Sequence, residues 1–154
     1  MKIVSSNSRG MQKSSAVHGL LSLQEHTRPD VLSLSETHLS KAKAGKLKNM
    51  LKFDEVLVSE SDGRSGGLPL FYHRDLNITS SEVNANFIDI FIDEDSDSGW
   101  RFTGFYGEPC GERKHLSWDY IRGLRSKFDL PWMIAGDFNE ILYGYDKEGG
   151  NIRS

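Results

Sequence analysis

Trp132-Met133-Ile134-Ala135-Gly136-Asp137-Phe138-Asn139-Glu140-Ile141-Leu142 is the stretch around which the chain is organised. Its apolar start reads as a short buried strand, and Gly136 breaks the run. Asp137 and Asn139 follow the break at spacing two, with Phe138 between them. In extended chain that spacing points both polar groups the same way and sends Phe138 into packing. Strand ends beside a glycine are where α/β sheets present chemistry, because the scaffold is rigid and the backbone turns sharply there. A carboxylate beside a neutral amide suits a base or metal ligand held next to a phosphate-binding donor. Gly-Asp and Asn are also common turn formers, so a plain turn stays open on this segment alone.

The bulk of the chain sets bounds. With 154 residues there is enough sequence for one domain with a sizeable core. The formal net charge of -3 supplies no global positive field, so any nucleic-acid role must rest on a local site or a divalent cation. A single cysteine, Cys110, excludes an internal disulfide and a multi-cysteine zinc site. The N-terminus has no signal-peptide core, and no apolar run approaches the ~18 residues that span a membrane. A protein of the nucleus or cytoplasm, with no membrane partner, is expected.

Outward from the focal stretch, the pattern predicts strands over 2–6, 31–36, 53–58, 68–72, 76–83, 87–93 and 100–106. Helices are predicted between them. The first has Ala16, Val17, Leu20 and Leu21 on its apolar face, with Ser14 or Ser15 as cap and Pro29 as its stop. The second is Lys-rich, capped by Ser40, with Leu47, Met50 and Leu51 inward. The third runs from Glu112 to Lys127. Pro69 cannot donate to a ladder, which predicts an edge or a bulge for its strand. Ile88, Ile90 and Ile92 share a face of an antiparallel pair. Arg9-Gly10 and Gly63-Arg64-Ser65-Gly66 read as loops, and the polar tail carries Asp146 and Glu148-Gly149-Gly150. The order βαβαβ, then a run of β, then αβ, predicts an α/β sandwich with mixed sheets.

Four of these strands end or turn on polar residues: Asn7, Glu36, Tyr106, and Asp137 with Asn139. A carboxylate buried at a strand end needs a partner or a metal, because an isolated one is costly to desolvate. Two carboxylates, two amides and a phenol form an oxygen-rich, sulfur-free set. Such a set suits a hard cation such as Mg²⁺ holding a phosphate.

These residues and their neighbours resemble the endonuclease/exonuclease/phosphatase family, with its deoxyribonuclease I-like fold. The motifs are Asn7 within Asn-Ser-Arg-Gly, Glu36 within Leu-Ser-Glu-Thr, Tyr106 within Gly-Phe-Tyr-Gly, and Gly136-Asp137-Phe138-Asn139. Gly63 to Leu68, Trp100 to Gly107 and Leu130 to Leu142 are similar to the endonuclease domain of plant non-LTR retrotransposons. The resemblance implies a Mg²⁺-dependent phosphodiesterase that nicks DNA. By it, Glu36 binds the metal and Asn7 supports the site, Tyr106 and Asn139 contact the scissile phosphate, and Asp137 positions the water. Ser6 stands where the family has tryptophan. The family's later aspartates and Ser-Asp-His motif have no counterpart here, since the last histidine is His115. The expectation is therefore one domain over 1–154, truncated at its C-terminus and inactive alone. Such a domain is expected to bind DNA weakly and to self-associate through an exposed sheet edge. Two other readings stay open: a non-catalytic remnant that binds a partner, and a phosphatase of the same fold acting on a small phosphoester.

Other signals have plainer explanations. Asp93 to Gly99 fits a solvated hairpin turn better than a calcium loop, because Gly104 stands where the loop needs its bidentate glutamate. Lys41, Lys43, Lys46, Lys48 and Lys52 read first as a solvated helix face and second as phosphate contacts. Trp118 and Tyr120 read as packing on their helix.

Overall fold

The computed structural model describes residues 1–8, 11, 13–59 and 67–140, Ser81 by its backbone alone. Arg9-Gly10, the Gly63 to Gly66 loop, Ile141-Leu142 and the tail with Asp146 and Glu148 lie outside the described residues.

The described chain forms two four-stranded sheets packed face to face. Strands β1 (Ile3–Asn7), β2 (Val31–Ser35), β3 (Glu55–Ser59) and β4 (Leu68–Tyr72) form one sheet in the order β1-β2-β4-β3. Strands β5 (Ile78–Val83), β6 (Phe87–Ile92), β7 (Trp100–Tyr106) and β8 (Trp132–Asp137) form the other in sequential order. Helices α1 (Ser14–Thr27) and α2 (Lys41–Met50) cover the first sheet, and α3 (Lys114–Lys127) covers the second. Each sheet has one parallel pair, β1 with β2 and β7 with β8, and its other pairs are antiparallel. This is the mixed α/β sandwich that the element order predicts.

Between the sheets lie Val31, Leu70, Ile88, Ile90, Ile92 and Phe102, all fully buried. Each such side chain contributes about 1.5–3 kcal/mol relative to exposure. The three isoleucines share this face as their alternation predicts. Strand β2 shows what its own alternation means. All five residues are buried, with Leu32 and Leu34 against α1 and α2 and Val31 against the second sheet. The serines of this strand therefore face another buried surface. Ser33 lies against Gly104, where a Cβ would come within 2.4 Å of Ser33 Oγ. Two small residues let β2 and β7 approach closely here.

Some local expectations change. The α1 cap position is Lys13, which makes no side-chain cap bond, so Ser14 and Ser15 are already inside the helix. Ser40 does cap α2, its Oγ accepting from the Lys43 N–H. Met50 is 51% exposed although Leu47 and Leu51 are buried, because it lies on the flank of that face. Pro69 sits on β4, which is interior to its sheet. The β2 ladder stops at Leu70, however, so Pro69 is paired only with Val58 on β3. Tyr120 packs edge-on against Phe87, whereas Trp118 is 40% exposed. Gly136 does not end its strand: β8 runs through it to Asp137.

Candidate active site

Both parallel pairs finish at the same end of the sandwich. Asn7 is the last residue of β1 and pairs in register with Ser35, the last of β2, which Glu36 follows. Tyr106 and Asp137 are the last residues of β7 and β8 and are register partners. The carboxyl ends of four strands, two from each sheet, thus converge, which is where open α/β sheets carry their sites.

Two side-chain hydrogen bonds join the sheets there. Asn7 Nδ2 donates to Asp137 Oδ2 at 2.8 Å. The Tyr106 hydroxyl donates to Glu36 Oε1 at 2.9 Å, with Glu36 7% and Tyr106 5% exposed. Burial first, and then the bond to the Glu36 carboxylate, push the Tyr106 hydroxyl up to about 12; the Asn139 side chain pulls the other way. Tyr106 is therefore a protonated donor at any physiological pH.

Asn139 is brought in by a turn and not by extended alternation. Its φ of 51° is left-handed, and its N–H donates to Asp137 Oδ1 at 2.9 Å. Gly-Asp-Phe-Asn is thus a turn, and that turn sets Asn139 against Asp137. The Asn139 amide donates to the Gly107 carbonyl at 2.6 Å, and the Lys114 ammonium donates to the Asn139 carbonyl. Phe138 turns away into packing, its ring 5.2 Å from that of Phe105. Two glycines make this close approach feasible. A Cβ on Gly136 (φ 150°) would meet the Phe105 carbonyl at 1.9 Å, and one on Gly107 would meet the Phe138 carbonyl at 2.0 Å.

Glu36 is held in a similar way. Its φ is 55° and that of His38 is 53°, conformations that cost of order 1–3 kcal/mol for a non-glycine residue and persist where the surroundings over-determine them. Here Thr37 is fully buried, and its hydroxyl donates to the Gly67 carbonyl at 3.1 Å. His38 is exposed.

All five residues singled out in the sequence are thus at one end of the fold, in two hydrogen-bonded pairs with Asn139 against Asp137. Three supporting residues carried no signal. Lys114, the first residue of α3, precedes the residue it holds by 25 positions. Asn86 Nδ2 donates to the Tyr106 carbonyl at 3.0 Å and the Asn86 carbonyl accepts from the Tyr106 N–H at 2.7 Å. Glu108, buried beside them, accepts from Arg113 at 3.2 Å, and its N–H donates to Ser117 Oγ. None of the three lies on a strand or in a motif, and only the tertiary fold sets them beside the site residues.

Among the described residues no three His, Cys, Asp or Glu side chains cluster so as to hold a metal ion, and no helix is long and apolar enough to cross a membrane. The oxygen donors that are gathered, Glu36 and Asp137 with two amides, fit a Mg²⁺ of the kind bound by one or two carboxylates plus substrate phosphate.

The fold is shared with solved structures of low identity. The endonuclease domain of TRAS1, a telomere-specific non-LTR retrotransposon, superposes with a TM-score of 0.64 at 15% identity, over 92% of this chain and 61% of that one. An AP endonuclease from Archaeoglobus fulgidus gives a TM-score of 0.67 at 17% identity, over 90% and 57%. A mannosyl-6-phosphatase from Bacteroides thetaiotaomicron gives 0.58 at 17% identity, over 90% and 65%. The chain therefore spans under two thirds of the length of each. No curated protein matches it. The model of the endonuclease/exonuclease/phosphatase family matches residues 4–153, nearly the whole chain and both sheets with their shared strand ends, and the chain belongs to that family.

Proposed function

We propose that the converging strand ends are the site of a retrotransposon-type, Mg²⁺-dependent hydrolysis of DNA phosphodiesters. The observation that carries this reading is the pair of cross-sheet bonds, Asn7 to Asp137 and Tyr106 to Glu36. With Asn139 held against Asp137, they gather two carboxylates, two amides and a protonated phenol at one end of a rigid scaffold. Glu36 would hold the ion, with Asn7 supporting the site through Asp137. Bound there, Mg²⁺ would polarise a phosphoryl oxygen and neutralise its charge.

The remaining chemistry belongs to the chain. Asp137 is half-buried and orients an attacking water or takes its proton. Asn7 and the Asn139 N–H fix the two oxygens of that carboxylate, so its geometry is set before substrate arrives. Tyr106 and the Asn139 amide are neutral polar groups beside the carboxylates, and neither would add a charge that repels a phosphate. With its hydroxyl already donated to Glu36, Tyr106 leaves few donors for the charge that develops on the phosphate. One missing donor of this kind costs ~10²–10³ in rate. The 154 residues alone are therefore expected to cleave negligibly.

The test is nicking of supercoiled plasmid with and without Mg²⁺. It uses the chain, the chain extended by a C-terminal segment of a family member, and Asp137→Ala in each. The extended chain should nick with Mg²⁺ and lose this with Asp137→Ala. An extended chain that leaves plasmid intact but releases phosphate from small phosphomonoesters would replace this reading with the phosphatase one. Robust nicking by the 154 residues, abolished by Asp137→Ala, would show the site to be sufficient as it stands.

A further inference from the structure

The site opens onto a basic groove. One cleft of about 390 Å³ begins at Asn7 and Ser8 and runs between the end of β1 and α1, past Met11 and Gly19. A second cleft, of about 230 Å³, continues from Met11 between α1 and α2, with Val17, Leu39 and Met50 along it and Lys43 and Lys46 at its rim. Met11, itself buried, lines both, so the two clefts adjoin across its side chain, one at Asn7 and the other at the lysines.

The charge along the two helices is one-sided. Over residues 13–27 and 40–52 stand Lys13, Lys41, Lys43, Lys46, Lys48 and Lys52, against the single carboxylate of Glu25. The whole chain is at -3, so the two helices form a positive island on a mildly acidic protein. Lys43 and Lys46 are exposed, and among the described residues neither ammonium has a carboxylate partner. They are three apart on one helix, which makes them neighbours about 5–6 Å apart at Cβ. Lys43 lies in the first turn of α2, seven residues after Glu36. Two adjoining clefts with apolar lining, a cationic rim on one and Asn7 at the edge of the other, complement a polyanion chain laid across both.

We infer that the groove between α1 and α2 guides one strand of a nucleic acid to the site, with Lys43 and Lys46 paired to its phosphates. This rests on the reading of the site as a phosphodiester-hydrolysing one. Contacts of this kind are independent of base sequence and release condensed counterions, so they show in the salt dependence of binding.

The experiment measures fluorescence anisotropy of a labelled 24-mer DNA duplex with the full chain in EDTA, where nothing is cleaved, from low to moderate salt. Compared are the wild type, Lys43→Gln/Lys46→Gln, and a charge-matched control on α3, Arg122→Gln/Arg125→Gln. All changed positions are exposed, and circular dichroism checks folding. The lysine variant should bind about tenfold more weakly and flatten the slope of log affinity against log salt by about two, one for each phosphate no longer neutralised. The control should bind like the wild type. Equal binding by the wild type and the lysine variant, or an equal loss in the control, overturns the assignment. So does an acidic polypeptide of matched length that binds as tightly as the duplex. If binding follows the two lysines but no form of the chain ever cleaves, the groove assignment stands and the hydrolytic reading falls.

Discussion

Asn7, at the end of the first strand, donates a 2.8 Å hydrogen bond to Asp137, at the end of the last described strand, 130 residues away. That bond closes the gap between the two sheets and sets the orientation of a carboxylate. Asp137→Asn nearly preserves shape but cannot take a proton. In a nicking-competent, C-terminally extended form it should lower the Mg²⁺-dependent rate ~10²–10⁴-fold, the usual range for a lost general base. Asn7→Ala should also slow nicking, by less, because it releases Asp137 without removing it. Plasmid nicking measures both, and an unchanged rate in Asp137→Asn removes Asp137 from the reaction.

The Tyr106 hydroxyl gives a pH signature that needs no activity. Its folded value, about 12, lies above the ordinary tyrosine value of 10.0. The sign follows: the folded state holds this proton more tightly, so the contribution is fully present below about pH 10 and is lost as pH rises through about 12. Absorbance titration of tyrosinate should show late ionisation among the five tyrosines. Tyr106→Phe should remove the latest step, while Tyr72, raised by burial, still lags.

Two glycine-to-alanine changes should have opposite signs. Gly136→Ala drives a methyl to 1.9 Å from the Phe105 carbonyl at a positive φ, and should cost several kcal/mol or prevent folding. Gly19→Ala in α1 meets nothing within 4 Å, and should stabilise by about 0.5–1 kcal/mol through helix propensity. Urea denaturation reads both.

Behind β7, the Arg101 Nε lies 2.9 Å from both oxygens of Asp89, and both residues are almost fully buried. The guanidinium sits between the rings of Phe128 and Trp132, about 5 Å from each centroid, and donates to the Leu124 carbonyl of α3. Thr103 donates to the same carboxylate and accepts from Trp132 Nε1. Asp89→Ala leaves an uncompensated buried cation and should cost about 3–5 kcal/mol, read as a lowered urea midpoint. A loss under about 1 kcal/mol would mean that this network is not what ties α3 to the sheet.

Strand β8 has β7 as its one neighbour among the described residues, and Met133 on it is 52% exposed. Unpaired strand edges with apolar side chains template association. The 154-residue chain should therefore self-associate in size-exclusion with light scattering, and Met133→Lys should shift it toward monomer. A clean wild-type monomer at high concentration would refute this.

Most of the strands, the three helices and the five polar residues that meet at the candidate site are legible in the sequence by itself. Strand and helix periods survive in local spacing, and a family motif is a short contiguous string such as Gly136-Asp137-Phe138-Asn139. What only the tertiary structure decided is which surfaces meet. The serines of β2 look solvent-facing in the pattern, yet they lie between sheets, because helices cover one side and a second sheet the other. Pro69 looks like an edge residue, yet it lies on an interior strand whose second ladder stops one residue short. Lys114, Asn86 and the Asp89–Arg101 pair carry no local sign of their roles, since each acts on a residue 12 to 25 positions away. Periodicity reports whether a side chain is covered, but it cannot say by what. That depends on contacts between segments far apart in sequence, and these exist only once both sheets have closed on each other.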